Sequence, residues 1–119
     1  MKAVEIDPAD LAEIDAFCDT LWLEDGLARA SLDSYRSDLM QLATWLAEQQ
    51  LGSLRSIDEA TLLRFVAMLS QTLRASSQAR HVSTLRRFYR QQLARGRRSN
   101  DPTLQVAMPV QASRLPKVI

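Results

Sequence analysis

The chain has 119 residues, 46% hydrophobic and 24% charged, with three glycines, four prolines and a net charge of +1. That is one domain with a modest core, and it excludes collagen-like, low-complexity and strongly disordered classes. The lone Cys18 excludes an internal disulfide, no Cys/His group has zinc-ligand spacing, and no uncharged apolar stretch nears the ~20 residues that span a bilayer.

Four helices are predicted from apolar period and punctuation, and no segment sustains a period of two, so the fold class is all-α. The first helix has Asp7 as N-cap, Pro8 at its first position and apolar residues at Leu11, Ile14, Phe17 and Leu21, with Gly26 at its end. The second starts at Ser31 and carries Leu32, Tyr35, Leu39, Leu42, Trp45 and Leu46 on one stripe to about Gln50, before the turn Leu51-Gly52-Ser53. Asp58 caps a third with Leu62, Phe65, Val66 and Leu69. The fourth follows a Ser76 or Ser77 cap and carries Ala79, Val82, Leu85, Phe88, Tyr89 and Leu93, with Gly96 placed for a left-handed C-terminus. Asp101-Pro102 starts one short helical turn through Val106. The domain is therefore residues 1–106, and 107–119, with two prolines and no helical stripe, reads as an extended linker toward a further domain.

Charge is segregated along the chain. The first 25 residues hold eight Asp or Glu against the single Lys2, whereas Ala60 to Asn100 holds nine arginines and no acid. A concentrated basic surface attracts polyanions, and arginine forks onto phosphate or guanine edges, so nucleic acid is the first expected partner. At 100° per residue, Arg80, Ser83, Thr84, Arg87, Gln91 and Ala94 fall opposite the apolar stripe of the fourth helix, with Arg86 and Arg90 on its shoulder. Small residues for close approach, hydroxyls and an amide for backbone oxygens, and arginines for phosphate or guanine suit a helix facing a major groove. Ser76 and Ser77 open that helix where free N–H groups meet a phosphate. The second helix contributes Ser31 and Arg36, although Asp33 and Asp38 accompany them. The opposing reading is that the acidic first helix simply offsets the basic fourth within the fold.

The remaining titratable residues carry no expected chemistry. His81 lacks a metal-ligand neighbour and is placed on a flank of the fourth helix; Cys18 follows a core residue; no nucleophile–base pair and no phosphate-cradling glycine loop occurs. No catalytic residue, cofactor, metal, membrane or small-molecule substrate is expected, and Glu5, Asp7 and Asp10 interrupt any signal-peptide run, which points to the cytoplasm. A helix-turn-helix regulator reading with the third and fourth helices, and a helical protein-interaction adaptor, stay open as alternatives.

The ordered features resemble one family. Phe17 to Leu46, with Leu27, Ser31, Leu32, Tyr35, Asp38, Leu39, Trp45 and Leu46 in place, is similar to the opening of the tyrosine site-specific recombinases. Ser76 to Thr103 resembles that family's fourth-helix segment and the Asn-Asp-Pro that follows it. Leu21 to Glu24 and Arg114-Leu115-Pro116-Lys117 look more like the XerD-type subunit than its XerC-type partner. The resemblance implies a core-binding, SAM-like four-helix orthogonal bundle forming half of a clamp on double-stranded DNA at a recombination half-site. It implies helices two and four at the major groove, and a catalytic domain beyond the linker that cleaves and rejoins DNA through phosphotyrosine. It further implies chromosome dimer resolution in a heterotetramer with a XerC-like recombinase, activated by a cell-division DNA translocase.

Overall fold

The computed structural model describes residues 5–107 and shows four α-helices: α1 (Pro8–Asp25), α2 (Arg29–Gln49), α3 (Glu59–Thr72) and α4 (Ala75–Ala94). No strand occurs among the described residues. Met108 to Ile119, with most of the expected linker and the Arg114–Lys117 motif, lies outside them.

Local chemistry explains the ends of α1 and α3. The Asp7 carboxylate accepts from the Ala9 N–H at 2.9 Å with Pro8 at the first helical position, and Asp58 accepts from the Thr61 N–H at 2.8 Å. Gly26 closes α1 in the left-handed region (φ 62°), its N–H donating to the Leu21 carbonyl. The expected serine caps of the other two helices are not formed. α2 starts at Arg29 with Ala28 as N-cap, and α4 at Ala75 with Arg74 as N-cap, neither with a side-chain cap bond, so Ser31, Ser76 and Ser77 stand within first turns. The bend after α2 begins one residue early, with Gln50 left-handed at φ 54°. Gly52 (φ 98°) then brings the chain so close to Ser56 that a Cβ would lie 2.9 Å from its Oγ.

α1 packs on α2, and α4 packs on both α2 and α3. The core takes Ile14, Phe17 and Leu21 from α1, Leu39, Leu42 and Leu46 from α2, Leu62, Phe65 and Leu69 from α3, and Val82, Leu85, Phe88 and Tyr89 from α4. Phe17 and Phe88 meet edge-on with centroids 5.4 Å apart, joining α1 to α4 across the centre. Leu54 and Ile57 from the α2–α3 connection and Val106 from the C-terminal segment plug the remaining sides. Residues 102–105 form turns rather than a helix, with the Thr103 N–H and hydroxyl both donating to Asp101. The ends of the apolar stripes are wetter than the pattern predicts: Leu11 and Leu93 are each 39% exposed.

A polar belt ties the loops to this core. Asp10, buried, accepts from the Leu54 N–H at 2.9 Å, and the buried Tyr89 hydroxyl donates to the Leu54 carbonyl at 2.7 Å. Burial pushes the Asp10 carboxyl above its ordinary value, opposed by the Leu54 N–H, and burial likewise raises the Tyr89 phenol. Arg98, just past α4, lies 5.1 Å over the Tyr89 ring and donates to the Arg55 carbonyl, locking the end of α4 to the α2–α3 loop. These bonds hold Tyr89 as a structural residue.

Candidate nucleic-acid interface

The acidic α1 and the basic end of the chain meet in space. Arg87 pairs with Asp25 at 2.6 Å, Arg95 with Glu24 at 3.0 Å, Arg97 and Arg55 with Glu13 at 3.0 and 2.8 Å, and Arg36 of α2 with Asp15. Much of the segregation in sequence is therefore neutralised within the fold, as the opposing reading holds. Other arginines serve packing: Arg86 donates to the Val106 carbonyl, and Arg64 lies 5.9 Å over the Trp45 ring. Among the described residues Arg29, Arg64, Arg74 and Arg90 have no ion-pair partner, and all four are exposed.

The helical wheel errs most at the seam between α2 and α4. Asp38 is fully buried and accepts from Arg80 Nη2 at 2.7 Å, from Arg80 Nε at 3.3 Å and from Thr84 Oγ1 at 2.8 Å. Thr84 is itself fully buried, which corrects the expectation that its hydroxyl faces a nucleic acid. His81, expected on a flank, is 1% exposed, with Nε2 3.4 Å from Asp38 Oδ1 and Nδ1 without a partner. Burial lowers the His81 pKa below its ordinary 6.5, with Asp38 pulling the other way. A carboxylate at this depth needs its donors, because an uncompensated buried charge is far costlier than an exposed one. Arg80 is thus the cation of a buried network, although half of its side chain reaches solvent.

The other expected contacts divide between two surfaces. Ser83, Arg87, Arg90 and Gln91 come together along α4 in a cleft of about 600 Å³, closed on its other sides by Leu21 and Asp25 of α1 and Tyr35 of α2. Arg86 joins them there, a residue the sequence left on the shoulder of the stripe. Arg87 donates to the Tyr35 hydroxyl at 3.3 Å and lies 5.6 Å over its ring, so its guanidinium is steered into the cleft. Asp25 was not anticipated; its position beside Gly26, two helices away in sequence from Arg87, gives no local signal. Arg36 lines a second cleft of about 330 Å³ with Arg29, Asp33 and Trp22, the last 52% exposed. Ser31 and Ser76 are exposed and Ser77 half-buried in the uncapped first turns of α2 and α4, outside the first cleft.

Cys18 is buried and its thiol is pushed above its ordinary pKa by burial, with Arg36 opposing, which suits packing rather than nucleophilic attack. Among the described residues no group of His, Cys, Asp or Glu is placed to hold a metal ion, and no helix is long and apolar enough to cross a membrane. The cleft can accept anionic oxygens on guanidinium and hydroxyl donors, and it offers Tyr35 as an aromatic wall.

Comparison with known proteins points the same way. The family model for the phage integrase N-terminal SAM-like domain matches residues 14–96. A relative in Pseudomonas aeruginosa, tyrosine recombinase XerD, is 45% identical over 105 residues, covering 87% of this chain and 35% of the relative. Proteins of the same name in Xanthomonas axonopodis pv. citri and Ralstonia nicotianae are 41% and 35% identical over 94% and 99% of the chain. The chain spans little more than a third of the length of these relatives. No solved structure matches it significantly.

Proposed function

Because the chain belongs to the phage integrase N-terminal SAM-like domain family, we propose that it is the DNA-binding clamp domain of a XerD-like tyrosine recombinase. The observation that carries this reading is the cleft along α4, where Arg86, Arg87 and Arg90 converge with Ser83 and Gln91. Guanidinium groups along one helix attract the charge of a duplex backbone, and the hydroxyl and amide add donors for phosphate or base edges. Arg90 carries no ion pair among the described residues and is the exposed cation of this cleft. Outside that cleft, the uncapped starts of α2 and α4, with Ser31, Ser76 and Ser77, offer backbone N–H donors to further phosphates, and Arg36 offers a guanidinium from the second cleft once it leaves Asp15. Arg80 and Thr84 support that surface from behind through Asp38.

The same proposal extends to the whole recombinase. Strand cleavage and rejoining, chromosome dimer resolution, a heterotetramer with a XerC-like recombinase, activation by a cell-division DNA translocase and a cytoplasmic location are parts of it, resting on the XerD-named relatives. Residues 1–106 are the binding unit and 107–119 the link to a catalytic domain in this reading.

Anisotropy titration of the chain with duplex DNA tests the clamp directly. Affinity is expected to fall steeply between about 50 and 200 mM salt, and Arg90→Ala to reduce the salt slope by about one. Binding that ignores salt, or an Arg90→Ala slope equal to wild type, defeats the assignment.

A further inference from the structure

Asp25 sits where local electrostatics do not favour it. It is the last residue of α1, beside Glu24 and with no basic residue in that turn, so two carboxylates face the negative end of a helix dipole. Its compensation comes from α4: Oδ2 accepts from Arg87 Nη2 at 2.6 Å, a short charge-assisted bond. Asp25 also lines the cleft that holds Arg86 and Arg90. A carboxylate oxygen and a phosphate oxygen make the same kind of bond to a guanidinium. Asp25 therefore occupies, on Arg87, the place an incoming phosphate oxygen would take.

We propose that Asp25 is an internal phosphate surrogate, holding Arg87 in the cleft until a DNA phosphate displaces it and thereby raising the threshold for non-specific binding. The proposal rests on the reading of the cleft as a duplex contact and names how that contact is regulated. Two observations make the exchange feasible. The pair is open to solvent, with the Arg87 and Asp25 side chains 38% and 44% exposed, so separating it costs little. The Tyr35 hydroxyl and ring hold the guanidinium independently, so Arg87 stays aimed into the cleft after Asp25 lets go. Once a phosphate has arrived, Asp25 is an unpaired like charge beside it. Release of the ion pair and this repulsion both count against binding, and binding strong enough to overcome them requires several neighbouring contacts at once.

The test is a double-mutant cycle read by anisotropy of the chain with a duplex of arbitrary sequence at low salt. Asp25→Asn is expected to tighten binding roughly three- to tenfold, the scale of one solvent-screened charge and one exposed ion pair. Glu48→Gln removes the same charge from an exposed site on α2 that does not line the cleft. It is expected to change affinity less than about twofold, because Glu48 lies about 20 Å along α2 from Tyr35 of the cleft, a separation at which a single charge acts weakly through water. In an Arg87→Ala background the Asp25→Asn gain is expected to shrink to the share owed to charge repulsion alone, since the ion-pair share acts through Arg87. A gain no larger than that of Glu48→Gln, or one that persists in full without Arg87, overturns the surrogate while leaving the duplex contact standing. No salt-dependent binding by wild type or any variant overturns the duplex contact and the surrogate together.

Discussion

Two arginine–carboxylate pairs stand about two turns apart on α4 and share almost the same bond length. Arg80 meets Asp38 at 2.7 Å and Arg87 meets Asp25 at 2.6 Å. The carboxylates differ completely: the Asp38 side chain is 0% exposed and the Asp25 side chain 44%. At the seam, Asp38 has lost its water and depends on Arg80 and Thr84 for every hydrogen bond it makes, so the pair is part of the fold. At the rim, both partners keep water and either can be replaced by an outside ion. Geometry alone does not assign a role to a salt bridge; the desolvation of its buried member does.

The comparison is broken most directly at Asp38. Arg80→Ala leaves the fully buried Asp38 carboxylate with the Thr84 hydroxyl alone and is expected to destabilise the domain by roughly 3–5 kcal/mol, the scale of a buried charge left without its partner. Asp38→Ala is expected to cost less, about 2 kcal/mol, because the arginine it leaves is already half solvated and the Thr84 hydroxyl keeps the Arg80 carbonyl as an acceptor. Urea unfolding reads both as a lowered midpoint with an unchanged slope. An Arg80→Ala domain as stable as wild type, with DNA affinity lost, returns Arg80 to the surface role the sequence suggested.

That outcome bears on what the sequence made legible. Helix existence, the Asp7 and Asp58 caps and the left-handed Gly26 and Gly96 were all readable, because each depends on residues within a few positions. The starts of α2 and α4 were not. Serine caps are good local signals, yet each helix runs further back, where Leu27 and Leu73 pack against the core and set the chain direction. The wheel for α4 assumed one covered side, but α4 is covered by both α2 and α3, so Thr84 and His81 fall inside the second contact. One signal was present: Asp38 sits directly before Leu39, four residues before Leu42, with no basic residue three or four positions away on its own helix. A carboxylate embedded in an apolar stripe calls for donors from another helix. The cleft, by contrast, was half legible, since Ser83, Arg87 and Gln91 share a helix face while Asp25 and Tyr35 arrive only through tertiary packing.

The seam also predicts a pH response. His81 is buried beside Asp38 and Arg80, and its pKa is lowered from 6.5, first by desolvation. A folded pKa below the unfolded one means the unfolded chain binds more protons as pH drops, so stability is full above about 6.5 and declines as pH falls through the folded pKa. Replacing His81 by Gln removes this titration. The wild-type melting temperature is expected to fall relative to His81→Gln between about pH 6.5 and 5. A difference between the two proteins that stays constant across that window removes His81 from the acid response.

The smallest effect sharpens the comparison most. Arg87→Ala gives up an exposed ion pair and a guanidinium over the Tyr35 ring, contributions that together are expected to cost less than about 1 kcal/mol. The ion-pair share is screened by salt, because both partners are open to solvent. In thermal unfolding at low and at about 1 M salt, the gap between wild type and Arg87→Ala is therefore expected to narrow. The gap between wild type and Arg80→Ala is expected to persist, since salt does not reach the Asp38 carboxylate. If both gaps close together, Asp38 is screened like Asp25 and the distinction between a structural and an exchangeable pair fails. If neither closes, the Arg87 contribution is packing on Tyr35 rather than charge, and Asp25 holds no arginine for a phosphate to release.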